Sequence, residues 1–175
     1  FEHEHILKSA IRENRGVILV SGHFGNWEIG IAALALAGYP INLVAFPQIN
    51  PHLNGLMMNY RLKNGVKVMY SHGAISRCQE VLNNKEVVIM LIDQTGREQG
   101  VPVDFFGRQA PAMWGPANLH LKTGALIVPF ACVNQNQNNL DYRITFSQPI
   151  KYQPTGNKDN DINAGPAEGS ALDGL

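Results

Sequence analysis

Val17-Ile18-Leu19-Val20-Ser21-Gly22-His23-Phe24-Gly25-Asn26-Trp27-Glu28 changes character twice in a short span. The unbroken apolar run from Val17 to Ser21 reads as a strand buried on both faces. Gly22 and Gly25 break it with a turn. Asn26, a preferred cap, opens a helix that Gly38 closes. Strand, turn and helix in that order form the repeating unit of α/β proteins, which place their sites at the carboxyl ends of strands.

The same alternation extends in both directions. Residues 4 to 14 read as a helix with Ile6, Leu7, Ala10 and Ile11 on one face, stopped by Arg15-Gly16. Strands follow over 41–46, 66–70 and 87–92, separated by helices over 51–64 and 73–83. This pattern predicts a mainly parallel sheet with helices on both faces. Residues 100–107 read as a short strand entering a loop. A helix is expected over 115–123, a strand over 125–133, a polar turn over 134–139 and an antiparallel strand over 140–147. From Tyr152 the composition collapses to Gly, Asn, Asp, Pro, Ala and Ser, which predicts a mobile tail over 152–175 beside a folded domain over 1–151.

Composition narrows the function. The chain has 175 residues, 45% apolar and 16% charged, enough for one domain with a real core. Lys+Arg and Asp+Glu both total 14, so no broad basic field suggests nucleic acid. Cys78 and Cys132 stand far apart in apolar segments, which fits buried, reduced thiols. The charged start, Phe1-Glu2-His3-Glu4-His5, is unlike a secretion signal and lacks an initiator Met, so a segment of a longer protein is expected. No apolar run reaches the ~18 to 20 residues of a membrane span.

His23 and Glu28 carry the chemistry. Histidine accepts a proton near neutral pH, and a nearby carboxylate can hold its ring in one tautomer. In a continuous helix five steps rotate by about 140°, so the two would point apart. With His23 in the turn and Glu28 in the first helical turn they can converge, and a carboxylate there suits the helix dipole. His3 and His5 read as a fraying terminus, and His52, His72 and His120 as surface or local hydrogen-bonding groups.

Further polar sets fall at element ends: Arg61 closing a helix, Asp93-Gln94 after a strand, and Asp104-Phe105-Phe106-Gly107-Arg108 at a strand-to-loop corner. With Thr123-Gly124-Ala125 they complete an ordered series. His-Phe-Gly-Asn-Trp-Glu at 23–28 then resembles the His-x4-Asp/Glu signature of the bacterial lysophospholipid acyltransferases that acylate lipid A precursors late in synthesis. The resemblance spans about Gly16 to Ile150.

That resemblance implies acyl transfer from a thioester, on acyl carrier protein or coenzyme A, to a hydroxyl of a membrane glycolipid, with no cofactor or metal. His23 would be the general base and Glu28 its orienting partner. Arg61 would sit near the acceptor phosphate or the developing oxyanion. Asp93, Gln94, Phe106, Gly107 and Arg108 would line the site. It implies work at the cytoplasmic face of the inner membrane. Arg61, Lys63 and Lys67 offer either a docking patch for the acidic carrier protein or a solvated helix end. Phe46-Pro47, Leu56-Met57-Met58 and Met113-Trp114 offer either core or an apolar rim. The family's N-terminal anchor and its Trp- and Arg-bearing C-terminal helical segment do not match this chain, which suggests truncation. A phosphatidylinositol mannoside would suit the same residues as acceptor. A thioester hydrolase and a degenerate lipid-binding module are the competing readings.

Overall fold

A computed structural model describes residues 1–71, 73–94, 100–136 and 140–151. The expected tail over 152–175, His72 and the second half of the polar turn, 137–139, lie outside the described residues. The elements are α1 (Glu4–Arg12), β1 (Val17–Ser21), α2 (Trp27–Leu36), β2 (Ile41–Ala45), α3 (Pro51–Lys63), β3 (Lys67–Tyr70), α4 (Ala74–Asn83), β4 (Val87–Leu91), β5 (Val101–Phe105), β6 (Arg108–Ala112), α5 (Gly115–Thr123), β7 (Leu126–Asn136) and β8 (Asp141–Phe146).

Six strands form one sheet in the order β3-β2-β4-β1-β7-β8. All neighbours are parallel except β7 and β8. The expected α/β architecture is therefore present. β1 is fully buried along its length, as its apolar run requires. Its alternate residues feed two cores. Val17 and Leu19 pack with Leu7 of α1 and Ile31 and Leu34 of α2. Ile18 and Val20 pack with Cys78 and Leu82 of α4 and Leu119 of α5. Helices thus cover both faces.

Topology positions the site. From β1 the chain passes to β2 and β3 on one side, then returns so that β4 lies directly against β1. Their register aligns Val17 with Val87 and Ser21 with Leu91. The Ile92 amide donates to the Ser21 carbonyl at 2.9 Å, so the ladder continues past both strand ends. The next residues in step are His23 and Asp93.

Two expectations are corrected. The expected short strand is present as β5, but it enters a tight turn and not a loop: β6 pairs back on it as a hairpin, forming a separate two-stranded sheet. Arg108-Gln109-Ala110-Pro111-Ala112 has no β-branched residue and carries a proline, so its strand character is set by pairing rather than propensity. Second, β7 extends to Asn136, through part of the expected polar turn, because its polar end still pairs with β8. Both cysteines are free and buried, and burial pushes the Cys78 thiol up to about 11.

Candidate active site

The turn after β1 is fixed by its contacts with β7. Gly25 has φ +62, a conformation that glycine adopts at little cost. A Cβ there would collide with the Cys132 carbonyl. The Asn26 amide donates to that same carbonyl at 2.9 Å. The Asn26 side chain accepts from the Ile29 amide at 3.2 Å and so caps α2, as the sequence predicts. Asn26→Ala should lower stability by about 1 kcal/mol. A thermal melt should show a loss of about 2–4 °C; an unchanged melt would mean the cap is dispensable.

Above this turn His23 is gripped twice by one carboxylate. Asp93 Oδ1 lies 2.7 Å from His23 Nδ1, and Oδ2 accepts the His23 backbone N–H at 2.6 Å. Burial raises the Asp93 carboxyl, but the His23 side-chain and backbone hydrogen bonds outweigh it and hold the group below its ordinary value. With Nδ1 committed to Asp93, Nε2 is left as the proton acceptor. It makes no hydrogen bond among the described residues, and the side chain is 35% exposed. Gly22 permits the approach: a Cβ there would sit 3.1 Å from Asp93 Oδ2 and 2.8 Å from the Phe24 ring.

Glu28 is engaged elsewhere, which corrects the expected pairing. Its Oε2 accepts from Arg61 Nε at 3.2 Å and its Oε1 from Arg61 Nη2. Glu28 does lie in the first turn of α2. From there its carboxylate is taken by a guanidinium reaching over from the end of α3, while β4 supplies the carboxylate at His23. Arg61 is buried, with 6% exposure. It is neither a solvated helix end nor part of a docking surface. Of its expected companions there, Lys67 is exposed and pairs with Glu86 at 2.9 Å.

Trp27 joins the two pairs. Its ring meets the His23 imidazole edge-on at 5.5 Å, and the Arg61 guanidinium lies 5.8 Å from its centroid. Sequence alone assigns Trp27 no task; its place between His23 and Glu28 in the chain is the available signal.

The remaining expected lining residues divide. Gln94 is exposed, next to Asp93 in the chain. Phe106 and Gly107 form the tip of the β5–β6 hairpin, and Arg108 begins β6. No described contact joins them to His23 or Asp93. His120 serves as a local hydrogen-bonding group, its Nδ1 lying 2.7 Å from the Ala125 carbonyl.

A shallow cleft of about 250 Å³ opens beside the ion pair, lined by Glu28, Leu56, Met57 and Tyr60. Of the suggested apolar rim, Phe46, Pro47 and Leu56 are exposed. Met57, Met58, Met113 and Trp114 are half-buried. Among the described residues no helix is long and apolar enough to cross a membrane.

The family model described as "Bacterial lipid A biosynthesis acyltransferase" matches residues 1–165. The chain belongs to that family. Among curated relatives, a phosphatidylinositol mannoside acyltransferase of Mycolicibacterium smegmatis is 30% identical over 130 residues, covering 72% of this chain and 43% of the relative. A phosphatidylinositol mannoside acyltransferase of Mycobacterium tuberculosis is also 30% identical over 130 residues, covering 72% of this chain and 41% of its own length. The match thus spans less than half of these curated acyltransferases.

Proposed function

We propose that this chain carries the acyl-transfer centre of a glycolipid acyltransferase, with His23 as general base and Asp93 as the residue that orients it. The observation that carries this reading is the double grip of Asp93 on His23, at 2.7 Å to the ring and 2.6 Å to the backbone amide. A carboxylate at Nδ1 fixes the tautomer that leaves Nε2 unprotonated, and it stabilises the imidazolium once a proton arrives.

The step is an alcoholysis. His23 Nε2 takes the proton of an acceptor hydroxyl as its oxygen attacks the thioester carbonyl. The tetrahedral centre then collapses, the carbon–sulfur bond breaks, and the imidazolium returns its proton to the departing thiolate. An ester and a free thiol result. The donor is an acyl thioester, on acyl carrier protein or coenzyme A. The acceptor is a hydroxyl of a membrane glycolipid, a reading supported by the family's description and its relatives' names. The cleft of Leu56, Met57 and Tyr60 offers apolar walls for the acyl chain, and Arg61 neutralises the one carboxylate in its lining.

The test incubates the protein with a long-chain acyl thioester and either a phosphatidylinositol mannoside or a lipid A precursor. The expected products are acylated glycolipid and thiol in equal amounts. Free fatty acid without acylated lipid would replace this reading with thioester hydrolysis. Binding without turnover would replace it with a lipid-binding module.

A further inference from the structure

We propose that the tip of the β5–β6 hairpin, Phe105 to Arg108, is a bilayer contact that inserts its aromatic rings among the headgroups of an anionic lipid surface. The proposal deepens the acyltransferase reading and rests on it in one respect, that the acceptor resides in a membrane.

The hairpin turns through Phe106 and Gly107, both at positive φ, +52° and +74°. A two-residue turn of this hand favours Asn-Gly or Asp-Gly, because both positions must adopt the left-handed conformation. Phenylalanine is a poor residue for it, and Phe106 is 87% exposed, so folding recovers little by burying the ring. Asp104 Oδ1 accepts the Gly107 amide at 2.9 Å and braces the turn. An unfavourable backbone thus holds an aromatic ring out in solvent.

The neighbouring side chains fit the same task. Phe105 is 57% exposed, and its ring packs edge-on against Phe106 at 4.7 Å. Arg108 stands directly opposite Phe105 in the register, so the two share one face. It is exposed and makes no ion pair among the described residues. Val101, Val103, Ala110 and Ala112 continue that face and are half-buried, whereas Pro102, Asp104, Gln109 and Pro111 on the other face are exposed. The stem is therefore partly covered on one side, while two aromatic rings and a guanidinium extend beyond it. Rings at the interface with an arginine reaching a lipid phosphate is a favourable arrangement at an anionic bilayer.

The test is co-sedimentation of the intact protein with vesicles of phosphatidylcholine alone or doped with phosphatidylglycerol. The wild type should pellet with the doped vesicles. Phe106→Asn supplies the residue the turn prefers, so its fold and melting temperature should be kept or improved while vesicle partition falls about tenfold. Arg108→Gln should weaken binding roughly fivefold on doped vesicles and leave binding to phosphatidylcholine alone unchanged. A wild type that stays in the supernatant overturns the proposal. So does a folded Phe106→Asn variant that pellets equally well. His23→Ala should pellet like wild type, so lost transfer and lost membrane contact are read separately.

Discussion

Asp93→Asn should leave a folded protein whose acyl transfer has fallen by about 10²- to 10⁴-fold. The amide can still accept the His23 backbone N–H, so the turn keeps one of its two ties to β4. At the ring, an amide NH₂ can donate to Nδ1 and favour the tautomer with the proton on Nε2, which removes the base. His23→Ala should cost as much or more, because the acceptor hydroxyl then has no positioned base. Glu28→Gln should change turnover far less, since its carboxylate binds Arg61 and not the ring. Initial rates of the three variants under saturating donor decide the matter. Asp93→Asn within about twofold of wild type, beside an inactive Glu28→Gln, would return the role of partner to Glu28.

The same contact sets an acid limit. Asp93 is held below its ordinary value in the folded protein. Its contribution to stability is therefore fully present above the unfolded value of about 3.9 and is lost as pH falls through the lower folded value. Asp93 is therefore charged throughout neutral pH. Asp93→Asn should remove part of the stability loss below about pH 4; an acid titration followed by circular dichroism would show it.

The fold was legible in the chain because each strand announces itself. Val17 to Ser21 and Val87 to Leu91 are apolar runs buried along nearly all their length, and alternation with helices allows few arrangements. The Asn26 cap and the placing of Glu28 were legible for the same local reasons. Strand adjacency was not. Asp93 lies 70 residues beyond His23, and only the insertion of β4 beside β1, past two intervening strands, puts them together. Once β1 and β4 are neighbours in matched register, the pairing follows by counting two residues past Ser21 and Leu91. Sequence proximity favoured Glu28 because it is near in the chain, yet its partner comes from α3. The hairpin was missed because Phe106-Gly107 lacks the Asn that marks such turns.

Arg61→Ala should lower stability by roughly 3 kcal/mol, because it strands the Glu28 carboxylate in a mostly enclosed position. The guanidinium is buried and makes the only hydrogen bonds to the Glu28 carboxylate among the described residues. Its loss also removes the cation from the face of Trp27, whose ring packs against His23. A melt should move down by about 6–12 °C. Replacing both partners by apolar residues of similar size, Arg61→Met with Glu28→Leu, should be less damaging than Arg61→Ala alone, since no unpaired charge remains. At a temperature where all variants are folded, the double variant should keep His23 and Asp93 in place and retain much of its turnover. The opposite pattern, an unshifted melt with transfer abolished in Arg61→Ala, would mean the guanidinium acts on the acceptor phosphate or the oxyanion. Thermal and kinetic readouts therefore separate an ion pair that holds α3 against α2 from one that handles substrate.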